Sequence, residues 1–285
     1  MTDQKVRHAW LRALGLEEMA PQIQLEDGEY LHVRTFKHDF FAATGLYSGP
    51  SGRVILKMGR SVSFLGIPMR WLGRWLADHE CAMYEAAQGV EGVPRCLGRW
   101  GPTGFVHVFV EGHPLQRNER VDDAFFSRLE EILRKLHARG IAYVDLEKRE
   151  NILVGDQGRP WLIDFQISWR GPRETDRRGP GWQRWIPVSL ARYILKRLQK
   201  ADLYHLLKHR RRHRPGTLTP EQLAASYRVS WAIRLHRWFF RPLTLLRRLI
   251  LKALTGRSRS PKQDGPEFLS PMADVKTRKI SVQDE

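Results

Sequence analysis

Two hydrophobic periods divide the chain. Between residues 29 and 58, β-branched and aromatic side chains predict three strands, Tyr30 to Phe36, Phe40 to Tyr47 and Arg53 to Met58. Gly49-Pro50-Ser51-Gly52 is the hairpin turn joining the last two, so a small antiparallel sheet opens the fold. Over 69–88 the period becomes helical, with Leu72, Leu76, Met83 and Ala87 on one face and Gly89 near the stop. Gly104 to Glu111 reads as strand again, followed by the turn-like Gly112-His113-Pro114. The clearest helix spans 123–138. Asp122 or Asp123 can cap its start, Phe125, Leu129, Ile132, Leu133 and Leu136 form its stripe, and Gly140 stands where a C-terminal glycine belongs. Two short apolar strands follow, Ile152 to Val154 and Trp161 to Ile163, joined by Gly155-Asp156-Gln157-Gly158 into a hairpin with polar residues at both ends. Beyond residue 171 the chain is basic and helical, punctuated by Pro180, Pro187, Pro215 and Pro242, and 256–285 reads as a mobile tail.

With 285 residues and 42% hydrophobic positions, disorder throughout is excluded and one large domain or two lobes are expected. The chain carries 48 Lys and Arg against 31 Asp and Glu, net +17, but the excess is local. Residues 1–170 hold 22 basic and 22 acidic side chains, 171–260 hold 22 and 4, and 261–285 hold 4 and 5. A field concentrated in one segment implies a polyanionic partner there: a phospholipid surface, a phosphorylated glycolipid or nucleic acid. Cys81 and Cys96 show no CxxC or metal-ligand spacing, which predicts neither a disulfide framework nor a zinc site. The residues from Met1 do not read as a secretory leader, and no uncharged apolar run reaches bilayer length, so a cytoplasmic protein is expected.

The polar ends of the 152–163 hairpin carry the candidate chemistry. Tyr143-Val144-Asp145-Leu146-Glu147-Lys148-Arg149-Glu150-Asn151, followed by Asp164-Phe165-Gln166, resembles the catalytic loop and metal-binding triplet of the protein-kinase-like superfamily. The resemblance covers about residues 30–170 and implies a two-lobed α+β fold, with a small antiparallel β N-lobe and a mainly helical C-lobe. It implies that ATP and Mg²⁺ lie between the lobes, that Asp145 accepts or orients the acceptor's proton, and that Lys148 meets the transferred phosphate. Asn151 and Asp164 are then the metal ligands, because a hard cation takes hard oxygen donors. Val54-Ile55-Leu56-Lys57 resembles the strand lysine that reaches the α- and β-phosphates. Its carboxylate partner is read as Glu80, which shares a helical face with Leu76 and Met83, whereas Glu85 falls about 140° away. Phe109-Val110-Glu111-Gly112 resembles the inter-lobe linker that meets the adenine, which makes Glu111 a cofactor-binding candidate.

Several departures qualify the likeness. The loop from Asp145 to Asn151 is one residue longer than the usual pattern, so Glu150 also stands at a metal-ligand spacing; counting back from Asn151 to Lys148 favours Asn151. Val144 replaces the arginine of regulated protein kinases, and Gln166 replaces the glycine of the metal-binding triplet, which favours one fixed orientation there. In place of a glycine-rich loop stands Thr35-Phe36-Lys37-His38-Asp39, with Lys37 as a possible phosphate contact. No A-P-E follows the triplet, so the acceptor is expected to be something other than protein. The closest likeness is to bacterial lipopolysaccharide core kinases and the RIO-like group.

Residues 231–254 interleave Arg234, Arg237, Arg241, Arg247, Arg248 and Lys252 with Trp238, Phe239, Phe240 and several leucines, a pattern suited to an anionic membrane surface or to a last core helix. Nucleic acid ranks lower, for lack of an RNA-binding signature. The expected organisation is an extension over 1–28, an N-lobe over 29–111, a C-lobe over 112–255 and a tail over 256–285. The expected function is an ATP-dependent kinase acting on a sugar or lipid headgroup, such as a membrane glycolipid, as a peripheral protein at the cytoplasmic membrane face. The alternatives are a protein Ser/Thr kinase and a pseudokinase scaffold. Removing residues 231–285 is expected to weaken binding to anionic liposomes in a salt-sensitive way, read by flotation; equal partitioning of both chains would assign 231–254 to the core.

Overall fold

The computed structural model describes residues 9–64, 66–172 and 187–227; the basic stretch 231–254 and the tail 256–285 lie outside them. Six antiparallel strands form the N-terminal sheet: β1 (Gln22–Leu25), β2 (Gly28–His38), β3 (Ala42–Gly49), β4 (Gly52–Gly59), β5 (Cys96–Trp100) and β6 (Gly104–Val108), in the order β1-β2-β3-β4-β6-β5. The Pro50-Ser51 turn pairs Gly49 with Gly52 as the sequence suggested. A side chain at Gly49 would lie 2.5 Å from the buried ring of Tyr30, so the turn must stay bare for the sheet to close over that ring. The sheet begins earlier than expected. Gln22-Ile23-Gln24-Leu25, inside the stretch read as an extension, alternates polar and apolar and pairs with β2 across Glu26-Asp27. Leu14, Met19 and Ile23 pack with Tyr30, Tyr47, Val54, Leu56 and Val106 in a core on one face of this sheet. Buried Arg60 ties the N-terminal segment down by donating to the carbonyls of Trp10, Arg12, Phe40 and Ser63.

Helix α1 (Arg70–Ala86) crosses the other face. Of the expected stripe Met83 and Ala87 are buried, but Leu72 and Leu76 are only half-buried because the buried side there is turned toward Gly73, Ala77, Glu80, Cys81 and Tyr84, while Trp71 and Trp75 are exposed. The cause is backbone contact. A Cβ on Gly73 would sit 2.1 Å from the Arg60 carbonyl oxygen and one on Gly59 2.6 Å from that of Gly73, so only two glycines let the helix lie on β4. Glu80 is thereby pressed against the sheet rather than left in solvent.

Residues 109–111 lead to a smaller sheet of β7 (Gly112–Pro114), β9 (Ile152–Gly155) and β10 (Pro160–Leu162), in the order β10-β9-β7. Gly112-His113-Pro114 is therefore an edge strand and not a turn; Pro114 is tolerated because an edge strand has one side without ladder bonds. Helix α2 (Phe125–Ala138) buries Phe125, Phe126, Leu129, Ile132, Leu133 and Leu136. Neither Asp122 nor Asp123 caps it; they pair instead with Arg128 and Arg214. Strand β8 (Ile141–Ala142) pairs with β11 (Trp169–Arg170), and α3 (Val188–His213) and α4 (Pro220–Tyr227) complete the helical part. The result is a two-lobed α+β architecture, an antiparallel sheet followed by a mainly helical region. Among the described residues, no helix is long and apolar enough to cross a membrane.

On α3, His209 is 1% exposed and its Nε2–H donates to the Leu146 carbonyl at 2.7 Å, which holds the loop after β8 against the helix. Burial lowers its pKa from 6.5 to about 4. Above pH 6.5 it is neutral folded or unfolded; as pH falls toward about 4 only the unfolded chain takes the proton, so stability is lost in that window. His209→Gln keeps a donor for Leu146 without the titration. Its stability is expected to fall less steeply, by up to about 1.4 kcal/mol per pH unit, in urea unfolding across this range; parallel profiles would contradict a neutral buried histidine.

Candidate active site

Register places Lys57 between Thr44 on β3 and Phe105 on β6, with its side chain largely buried. Its ammonium donates to Glu80 Oε1 and Asp164 Oδ1, both at 2.8 Å. Three distant segments, β4, α1 and the turn after β10, therefore meet at one cation. The electrostatics follow from depth. Burial alone would lower the Lys57 pKa, but Asp164 and Glu80 outweigh it and hold the group charged above its ordinary value. Glu80, the more deeply buried carboxylate, is raised to about 7 because desolvation exceeds the attraction of Lys57. Asp164 is more open, at 29% exposure; burial would raise it, yet Lys57, with help from Lys148 and Lys37, holds it down to about 2. An ionised carboxylate is thus left partly open to solvent.

The backbone of Asp164 is left-handed, φ +63°, and its N–H donates to the Tyr84 hydroxyl at 3.0 Å. Phe165, fully buried, lies 4.8 Å from the Tyr84 ring and 5.0 Å from that of Tyr143, and the Tyr143 hydroxyl donates to the Ile163 carbonyl. This stack holds the triplet with Asp164 turned to Lys57. His107 stacks on Tyr84 at 5.2 Å, and burial lowers its pKa to about 4, so it adds no positive charge behind Lys57.

A second cluster lies on the loop after β8. Asp145 Oδ2 accepts from Lys148 Nζ at 2.6 Å and from Asn151 Nδ2 at 2.9 Å. Successive turns, Lys148 N–H to the Asp145 carbonyl and Asn151 N–H to the Lys148 carbonyl, both 3.3 Å, absorb the extra loop residue. They bury Asn151 and leave Glu150 exposed. Because a carboxylate only accepts, the amide nitrogen of Asn151 must face Asp145, and Oδ1 is the atom it would offer a cation. Desolvation raises the Asp145 pKa against the pull of Lys148, and the charge of Asp164 adds to the rise, which puts the two clusters within electrostatic reach of each other. Lys37 pairs with Asp39 at 2.5 Å at the surface of the β2–β3 turn and contributes to the low pKa of Asp164. Glu111 is different. Its carboxylate pairs with Arg53 at the surface and does not join either cluster, so what remains of its assignment is the linker backbone.

The sequence reading missed Asp202. This residue on α3 is fully buried and accepts from the backbone N–H groups of Tyr143 at 2.9 Å and Val144 at 2.8 Å, and from His137 Nε2 at 3.0 Å. Val144 has φ +70°, which costs a β-branched residue about 1–2 kcal/mol, and the Asp202 carboxylate supplies the compensating bonds. A signal existed in the composition: Asp202 is one of only 4 acidic side chains among 22 basic ones in 171–260.

Comparison with solved structures finds the Rio2 kinase from Chaetomium thermophilum, in an ADP/Mg²⁺-phosphoaspartate complex, at 17% identity and a TM-score of 0.45, covering 68% of this chain and 59% of that one. A second structure of the same kinase is similar at 18% identity and a TM-score of 0.44, covering 65% and 59%. The chain thus spans about three fifths of those proteins' length. No protein-family model matches the chain, and no curated protein does.

Asp202→Ala strips partners from two buried backbone donors at about 1–3 kcal/mol each, so a loss of about 3 kcal/mol is expected in chemical denaturation. Asp202→Asn, which keeps one acceptor, should recover part of it; a neutral Asp202→Ala would remove Asp202 as the support of this loop.

Proposed function

We propose that the chain is an ATP-dependent phosphotransferase that moves the γ-phosphoryl group to a hydroxyl of a sugar or lipid headgroup at the cytoplasmic face of a membrane. One observation carries the reading: Lys57 sits 2.8 Å from both Glu80 and Asp164, and Asp164 is in turn within electrostatic reach of the Asp145–Lys148 pair. The donor set suits a nucleoside triphosphate with Mg²⁺. Asp164 and Asn151 offer hard oxygens, and Lys57 and Lys148 offer cations to phosphate oxygens. When bound, Mg²⁺ supplies charge neutralisation and alignment of the phosphates.

In this reading Asp164 is ionised at any working pH and needs no proton release to act as a ligand. Glu80 holds the Lys57 ammonium in place and leaves it to face the α- and β-phosphates. Asp145 takes the proton of the acceptor hydroxyl as the new O–P bond forms and the bond from the γ-phosphorus to the β,γ-bridging oxygen breaks. Lys148, 58% exposed on a flexible stem, moves with the transferred group. The acceptor assignment is supported by the basic excess of 171–260, which suits a phosphorylated glycolipid in an anionic leaflet.

Asp145→Ala is expected to lower phosphoryl transfer by about 10²–10⁴-fold with nucleotide binding kept. The assay is γ-labelled ATP with cell-envelope glycolipid in one arm and generic protein in the other. Label in glycolipid supports the acceptor; label in protein alone would make the chain a protein kinase; unchanged turnover would remove Asp145 from the chemistry.

A further inference from the structure

Cys81 and Cys96, distant from any metal-ligand spacing in the sequence, are brought together in the fold. Cys81 lies on the buried side of α1 and Cys96 opens β5, and their sulfur atoms are 3.3 Å apart. Glu85, one helical turn after Cys81, places Oε1 3.5 Å from the Cys81 sulfur, and the donor atoms of all three residues lie within 4.8 Å of one another. A register shift between Cys96 and Gly98 aims the Cys96 side chain at the helix. The thiols are buried, at 2% and 8% exposure, and Glu85 is exposed above them.

We propose that Cys81, Cys96 and Glu85 form a binding site for a borderline-soft divalent ion of the zinc type, with solvent in the fourth position. Two thiolates and a carboxylate are donors that suit Zn²⁺ and not Mg²⁺. Tetrahedral zinc with bonds of about 2.3 Å to sulfur holds its two sulfur ligands about 3.8 Å apart. The observed 3.3 Å is about 0.5 Å from that separation but about 1.3 Å from a disulfide bond length, so a small side-chain adjustment reaches the metal geometry. Binding then releases the thiol protons to solvent. The site pins α1 to β5 one residue after Glu80, so its occupancy bears on the helix that positions the Lys57 partner; it is independent of the phosphotransfer reading.

The test uses the full chain under reducing conditions, with Zn²⁺ alone titrated against a chromophoric chelator and Co²⁺ as a spectroscopic stand-in. One equivalent of Zn²⁺ is expected, with a thiolate-to-cobalt charge-transfer band that disappears in Cys96→Ser. Glu85→Gln, at an exposed position that should fold normally, is expected to weaken Zn²⁺ by about tenfold or more. If Cys96→Ser does not fold, Glu85→Gln decides. Zn²⁺ bound without a thiolate band, affinity unchanged in Glu85→Gln, or reduced protein that binds no Zn²⁺ and only oxidises to a Cys81–Cys96 disulfide would each overturn the proposal.

Discussion

A buried ammonium between two carboxylates is the constraint on which this molecule is built. Removing ions from water costs several kcal/mol each, and one lysine cannot fully compensate two acids. The structure resolves the imbalance by depth. Glu80 lies in the core and carries a raised pKa, while Asp164 is partly exposed and stays ionised. The cluster therefore joins the two lobes and at the same time leaves a surplus negative group open to a cation. Its geometry demands that α1 lie directly on β4, which the bare backbones of Gly59 and Gly73 allow, and that the turn after β10 present Asp164, which the stack of Tyr84, Phe165 and Tyr143 enforces.

The second half of the site rests on a different interaction. The loop carrying Asp145 contains a strained β-branched residue, and strain of that kind persists only where surrounding bonds over-determine it. Asp202 provides them from a helix some 58 residues further along the chain, and His209 on the same helix closes on Leu146. Helix α3 is thus a brace for the loop, with Asp202, His205 and His209 turned inward.

That inward role changes the meaning of the basic segment. Lys208 pairs with Glu147 at 2.7 Å, Arg210 donates to Thr217, and Arg211 donates to Ser226 and covers the Tyr227 ring at 3.9 Å. Of these contacts the Lys208–Glu147 pair ties α3 to the loop and offsets one charge, whereas the two arginines contact neutral groups and tie α3 to α4 and the turn before it. These basic side chains therefore also serve as ties within the helical part.

The sequence alone determined the elements whose cause is local. Alternation, turn chemistry and the apolar stripe of α2 depend on neighbours a few positions away, and the strands, the two hairpins and that helix are found close to where these signals put them. Lys57, Asp145, Asn151 and Asp164 were legible only through the resemblance of their segments to the protein-kinase-like superfamily, whereas helical phase singled out Glu80 from Glu85. What tertiary structure decided was every question of who faces whom over long separations: Asn151 inward and Glu150 outward, Glu111 bound to Arg53 at the surface, β7 a strand, Asp202 beneath the loop, and two cysteines with a glutamate at one point. Those outcomes depend on desolvation and backbone approach between segments dozens of residues apart, and no periodicity within a single segment encodes them.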